Sequence, residues 1–226
     1  GRDGRDVARP GELVLDCVVD GGDRCWIGWH RASTVASCLP GGRHPRSLAE
    51  AADASGGRKV SRAWLKLDEA IALSGIVLEP GQRACELGAS PGGACQRLLE
   101  AGLEVVGVDP APVDPIVAGS SRFTQWRMRS RDVRLTAYRG FDWFVTDMNI
   151  DPASTMEALD RILTAPGVKP RGVIATLKLP QYARAIEVPG WLDAFRGWRY
   201  TPILARQLST GGREICVVAV RGNRRQ

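Results

Sequence analysis

The sequence predicts an α/β fold, a mostly parallel, doubly wound sheet whose final strand runs antiparallel. Three observations predict it. From Ser61 onward, short β-rich runs alternate with amphipathic helical runs, the pattern of a parallel sheet covered on both faces. Three of those β-rich runs lead directly into a charged residue: Asp109, Asp147 and Lys178. The last two runs, 202–207 and 215–220, flank Gly211-Gly212 and read as a β-hairpin, which reverses the final strand.

Taken in order, residues 1–12 are charged and carry Gly and Pro, so no element is expected there. Runs 13–19 and 24–29, separated by Asp20-Gly21-Gly22-Asp23, predict a small N-terminal β-hairpin. A lone hairpin is not stable in water, so it packs on the rest, pairs with a partner or is the remnant of a larger N-terminal domain. Residues 38–60, rich in Pro, Gly, Arg and Ala, read as a linker. Residues 1–60 are therefore expected to form an extension and 61–226 the main domain. Ser61 can cap a helix over 61–74, with Trp64, Leu65, Leu67, Ala70 and Ile71 on its apolar side. Strand 83–87, helix 94–101, strand 104–108, strand 143–146, helix 154–163 and strand 172–177 follow.

Composition narrows the function classes. The 226 residues are 44% hydrophobic and 25% charged, which excludes a disordered or fibrous chain. No window approaches ~18 uncharged apolar residues, so no membrane span is expected. Lys and Arg number 31 against 25 Asp and Glu, a net +6 that permits nucleic acid as a partner. The surplus is local: Arg122, Arg127, Arg129, Arg131, Arg134 and Arg139 stand against Asp132, interleaved with Phe123, Trp126 and Tyr138. Guanidinium groups suit phosphates and aromatic rings suit unpaired bases, so this stretch is a candidate RNA contact. Six scattered cysteines, with no C-x-x-C pair and no secretion signal, suggest reduced thiols and a cytoplasmic location. Cys17, Cys25, His30, Cys38 and His44 fit no usual zinc spacing, so no metal is expected.

The loop Glu86-Leu87-Gly88-Ala89-Ser90-Pro91-Gly92-Gly93 joins a strand to a helix. Its glycines let the backbone approach a ligand, and the helix start offers free N–H donors. It is neither G-x-G-x-x-G nor a P-loop, which weakens a nicotinamide-dependent or nucleotide-triphosphate reading. Glu86 at the strand end repels a pyrophosphate but suits an α-amino group or a ribose. Asp109, ending the next strand, is placed for ribose hydroxyls. Asp147 and Lys178 end parallel strands, and Glu214 begins the reversed one, so all three share the carboxyl edge. Lys66 reaches that edge if its helix packs beside it. Two lysines and two carboxylates would pair alternately, with one desolvated lysine lowered towards a useful base.

The segment Ser61 to Glu69, the Gly88–Gly93 loop, Asp114-Pro115-Ile116-Val117, Thr146-Asp147-Met148 and Thr176-Leu177-Lys178-Leu179-Pro180 together resemble the FtsJ-like ribose 2′-O-methyltransferases. Within that family, Leu177 to Pro180, Ala205-Arg206-Gln207-Leu208 and Arg213-Glu214 resemble the RlmM-type enzymes, which methylate a cytidine ribose in bacterial large-subunit ribosomal RNA. The resemblance implies a Rossmann-like methyltransferase domain, S-adenosyl-L-methionine as donor and S-adenosyl-L-homocysteine as product. It implies a catalytic tetrad at Lys66, Asp147, Lys178 and Glu214. Donor-binding positions fall on Glu86, Gly88, Ser90, Pro91, Gly92, Gly93, Asp109 and Asp132, the last near the adenine. RNA contacts are expected from Arg62, Arg122, Arg127, Arg129, Arg131 and Arg134. The implied partner is 23S-type ribosomal RNA or a pre-ribosomal particle, with no obligate protein partner. A transfer RNA, a messenger cap, or a non-catalytic RNA-binding relative is the alternative. Ser90 and Ala94 depart from the residues usual in the family's loop, and the family branch carries a larger N-terminal RNA-binding region.

Overall fold

A computed structural model describes residues 7–19, 22, 24–42 and 57–222. The chain divides into two compact units, Gly1–Arg46 and Ser47–Gln226. Most of the expected linker, part of the hairpin turn, His44, Arg224 and Arg225 lie outside the described residues.

In the first unit, β1 (Leu13–Val19) and β2 (Cys25–Arg31) pair antiparallel, followed by a short helix α1 (Val35–Cys38). Thr34 and Ser37 form a reciprocal capping box at its start. His30 lies between the Asp16 carboxylate and the Ser37 carbonyl. The Cys17 and Cys25 sulfurs are 3.1 Å apart. Among the described residues, no group of three or more His, Cys, Asp or Glu is arranged to hold a metal ion.

The second unit runs α2 (Arg62–Ser74), β3 (Arg83–Leu87), α3 (Gly93–Glu100), β4 (Glu104–Val108), α4 (Pro115–Ala118), β5 (Phe123–Trp126), β6 (Trp143–Thr146), α5 (Pro152–Leu163), β7 (Gly172–Lys178), α6 (Val188–Gly197), β8 (Tyr200–Arg206) and β9 (Glu214–Arg221). Its seven strands lie in the order β5-β4-β3-β6-β7-β9-β8. Pairing is parallel from β5 through β7, and β9 is antiparallel to both β7 and β8. The doubly wound sheet with one reversed strand is therefore the observed fold. Strand β5 and helix α6 have no counterpart in the sequence expectations. Among the described residues, no helix is long and apolar enough to cross a membrane.

Local chemistry explains the helices that matter for the site. The Ser61 hydroxyl accepts from the Ala63 N–H, and Gly75 ends α2 in the left-handed region at φ 69°. Trp64, Leu65, Leu67, Glu69 and Ala70 form its buried face. Gly92 opens α3 at φ 112°, a conformation that a side chain would strain. Beside it, a Cβ on Gly93 would sit 2.2 Å from the Ser61 hydroxyl, so α3 docks against the start of α2 only through a glycine.

Apolar side chains cover both faces of the sheet. On one, Phe144, Val173, Ala175 and Leu177 meet Leu159, Ile162 and Phe195; on the other, Val105, Val145, Ile174 and Val218 meet Leu67, Ala70, Cys95 and Leu98. Each large side chain so buried contributes roughly 1.5–3 kcal/mol, which holds the carboxyl edge of β3, β4, β6 and β7 in register.

Candidate active site

Four charged side chains meet at that edge. The last rung of the β7–β9 ladder pairs Lys178 with Glu214, so their side chains leave adjacent strands together. Asp147 follows β6, the neighbour of β7 on its other side. Lys66 comes from α2, one turn before Ala70, which is buried against the sheet.

The result is an alternating square. Lys66 Nζ lies 2.7 Å from Asp147 Oδ2 and 2.9 Å from Glu214 Oε1. Lys178 Nζ lies 2.9 Å from Asp147 Oδ1 and 2.6 Å from Glu214 Oε2. All four side chains are largely shielded from water, so these pairs are far less screened than surface ion pairs. Burial alone raises the Glu214 carboxyl, but the two lysines outweigh it and hold the group below the usual range. At Lys178, burial favours the neutral amine, and contacts with Glu214 and Asp147 outweigh that effect. Its pKa is raised. The expectation of one lysine lowered towards a base is thus corrected at Lys178: it faces two carboxylates, and their attraction exceeds the desolvation cost.

Glu214 is positioned from a distance by Glu69, which the sequence reading did not single out. Fully buried on α2, Glu69 accepts hydrogen bonds from the N–H groups of Ser209 and Thr210 at 2.8 and 2.9 Å, and from the Thr210 hydroxyl at 2.6 Å. These bonds pin the β8–β9 connection that delivers Glu214. A lone acid within an apolar helical face was the available signal.

Two cavities adjoin the square. One, of about 340 Å³, is lined by Ser61, Arg62, Lys66, Glu86, Asp147 and the Gly88–Gly93 loop. Glu86 is 2% exposed, and its Oε2 has no hydrogen-bond partner among the described residues. Burial pushes its carboxyl up to about 8; the Cys95 thiol and N–H oppose the shift, while Asp147 and Asp109 add to it. The second cavity, of about 760 Å³, is lined by Gly88, Ser90, Asp109, Arg129, Arg131, Asp147, Met148, Asn149 and Ile150 among others. Asp109 accepts from the N–H groups of Ser90 at 3.1 Å and Ala111 at 2.8 Å, which ties the glycine loop to the end of β4. Asn149 and Ile150 were not anticipated, because a loop after a strand carries no periodic signal.

Asp132 lines neither cavity. Its side chain is exposed beside the Arg131 guanidinium, while its neighbours Arg129, Ser130 and Arg131 face the larger cavity. The arginine-rich stretch also divides. Arg122 donates to the Leu99 carbonyl at 3.0 Å and Arg139 to the Pro166 carbonyl at 2.9 Å, so both brace the fold. Arg62, Arg127, Arg129, Arg131 and Arg134 are exposed. The aromatic residues among them are buried or half-buried. Tyr138 is buried, Trp126 packs against it with ring centroids 6.1 Å apart, and Phe123 rests against β4. Trp126 and Tyr138 join the core on one face of the sheet and Phe123 the core on the other, which is why the β5 run forms a strand.

A parallel sheet closed by one reversed strand, with a glycine loop and a lysine–carboxylate square on its carboxyl edge, defines a methyltransferase fold with a charged site. The FtsJ-like methyltransferase model matches residues 59–188, and the chain belongs to that family. The chain is 32% identical over 167 residues to the ribosomal RNA large subunit methyltransferase M of Xylella fastidiosa, an alignment covering 70% of this chain and 46% of that protein. It spans about half the length of the curated relatives it matches. Among solved structures, the fibrillarin pre-rRNA processing protein of Methanococcus jannaschii superposes with a TM-score of 0.55 at 12% identity, covering 72% of this chain and 76% of that one. A Burkholderia thailandensis 1,6-didemethyltoxoflavin N1-methyltransferase, solved with S-adenosylhomocysteine, gives 0.53 at 14% identity, covering 78% and 84%. These two likenesses show the fold alone.

Proposed function

We propose that the protein is an S-adenosylmethionine-dependent RNA ribose 2′-O-methyltransferase acting on large-subunit ribosomal RNA, free or within a pre-ribosomal particle. The alternating square of Lys66, Asp147, Lys178 and Glu214 beside the glycine-loop cavity carries this reading. Family membership and the ribosomal RNA methyltransferase relatives support it.

The donor fits what the chain offers. Glu86 holds a carboxyl oxygen with no partner among the described residues, in a cavity lined by the glycine loop, which suits an ammonium group, and Asp109 faces the larger cavity beside it. When bound, the donor supplies a methyl group already activated by its sulfonium charge. The chain's own work is to present the ribose hydroxyl and take its proton. Lys178 accepts that proton, Asp147 orients its Nζ, Lys66 donates a hydrogen bond to the ribose oxygen, and Glu214 holds both lysines. Because the square keeps Lys178 protonated, the lysine gives up one proton to solvent before it accepts another. A positioned proton acceptor typically contributes about 10²–10⁴-fold.

The test is tritiated-methyl transfer from S-adenosylmethionine onto total RNA from cells lacking the protein, with mapping of the methylated ribose. One 2′-O-methyl site in large-subunit ribosomal RNA is expected, and Lys178→Ala should abolish it while still binding S-adenosylhomocysteine. Label on a base, or on no RNA, would overturn the reading.

A further inference from the structure

We propose that Tyr182 is a stacking platform for an unpaired RNA base next to the methylated nucleotide, an inference that rests on the methyltransferase reading. Strand β7 delivers Lys178 and then leaves the sheet. The Leu179 N–H still donates to the Arg213 carbonyl at 2.7 Å, and the Arg213 guanidinium donates to the Pro180 carbonyl at 3.3 Å, which holds the departing chain beside the start of β9. A few residues on, Arg184 binds both Asp151, the cap of α5, and Glu187. The segment between is thus anchored at one end next to Glu214 and at the other four residues beyond Asp147. It therefore spans from the start of β9 to the cap of α5, along the carboxyl edge that carries the square.

Tyr182 stands on that segment, 63% exposed. Ile186, two residues past Arg184, is 86% exposed, and Ile150, lining the larger cavity, 43%. Among the described residues of the second unit, Tyr182 is the one exposed aromatic side chain; the others are buried or half-buried. An exposed Leu or Ile alone needs no explanation. A lone aromatic ring held on a braced segment beside the proposed reaction centre has one, because a ribose reaching Lys178 must be turned out of its stack. The adjoining bases then lose a stacking partner, and any base offers a π-face to a tyrosine ring. The arginines of the 122–139 stretch supply phosphate contacts but no rings, so Tyr182 supplies what that surface lacks.

The experiment uses the full 226-residue chain and a fluorescein-labelled oligocytidylate read by anisotropy, with S-adenosylhomocysteine binding measured by calorimetry. Tyr182→Ala should weaken oligocytidylate binding about tenfold, in line with the stacking loss of a single base. Tyr182→Phe and Tyr182→Trp should restore it, and S-adenosylhomocysteine affinity should not move in any variant. Wild-type oligocytidylate affinity in Tyr182→Ala, with methyl transfer to ribosomal RNA intact, overturns the platform and leaves the enzyme reading standing. A Phe variant as weak as the Ala variant overturns it too, since the hydroxyl rather than the ring would then be responsible. A wild-type chain that methylates no RNA overturns both.

Discussion

Burial leaves Glu86 a neutral acid at pH 7, its pKa raised from 4.5 to about 8. A carboxyl that meets an arriving ammonium becomes charged, so donor binding near pH 7 should release about one proton from this position. Calorimetry of S-adenosylhomocysteine binding in buffers of different ionisation enthalpy measures that release. It should vanish in Glu86→Gln and fade above pH 8, where the free acid is already ionised. The linkage to stability has the opposite sense from an ordinary salt-bridged carboxylate. The folded state keeps a proton that the unfolded chain gives up, so this group's stabilisation is complete below pH 4.5 and is lost as pH rises towards 8. Lys178 is shifted up for a different reason, its two carboxylate partners. Single-turnover methyl transfer should therefore climb with pH well above neutrality, with a log–log slope near one. A rate already flat at pH 7 would mean that Lys178 is not the proton acceptor.

Helix α2 and the β8–β9 connection form one functional element, joined by Glu69. Replacing Glu69 by Gln leaves one acceptor oxygen for three donors, two of them backbone N–H groups of the β8–β9 connection. The loss should be about 1–3 kcal/mol of stability, seen as a lower melting temperature. As a positioning residue, it should also lower kcat for methyl transfer while S-adenosylhomocysteine affinity stays unchanged. A purely structural role would lower the melting temperature and leave kcat per folded molecule intact. At this scale the sequence was legible where periodicity and caps are strong: Ser61 and Gly75 bound α2, and Gly211-Gly212 marks the reversal before β9. It was not legible at β5, where four residues rich in polar and basic neighbours become a strand only because Phe123 and Trp126 have a sheet to pack against. Helix α6 was hidden for a similar reason, since Pro189 and Gly190 near its start argue locally for a turn.

Over the whole molecule, a mild net charge of +6 conceals an uneven surface. Arg62, Arg127, Arg129, Arg131 and Arg134 are exposed, and Arg62, Arg129 and Arg131 line the two cavities beside the square. If these groups meet phosphates, RNA affinity should fall steeply with salt. Replacing Arg127 and Arg134 together by Gln should reduce the log–log slope by about 1.4, given roughly 0.7 per contact with a single strand. Replacing Arg122, which donates one guanidinium N–H to the Leu99 carbonyl, should lower the melting temperature and change the slope less than replacing Arg127 or Arg134.

By itself the sequence determined the alternation of strands and helices, the reversed last strand, and the charged residues at strand ends, because period, capping and turn chemistry act over a few residues. It also determined which three side chains share an edge, since parallel strands put their carboxyl ends together and an antiparallel neighbour adds its start. Tertiary structure alone decided that Lys66 swings into the square, that Glu69 anchors the strand bearing Glu214, and that Tyr182 rather than Trp126 or Tyr138 is left facing solvent. Those outcomes depend on which faces of which elements bury one another, a competition for apolar area that no local pattern records.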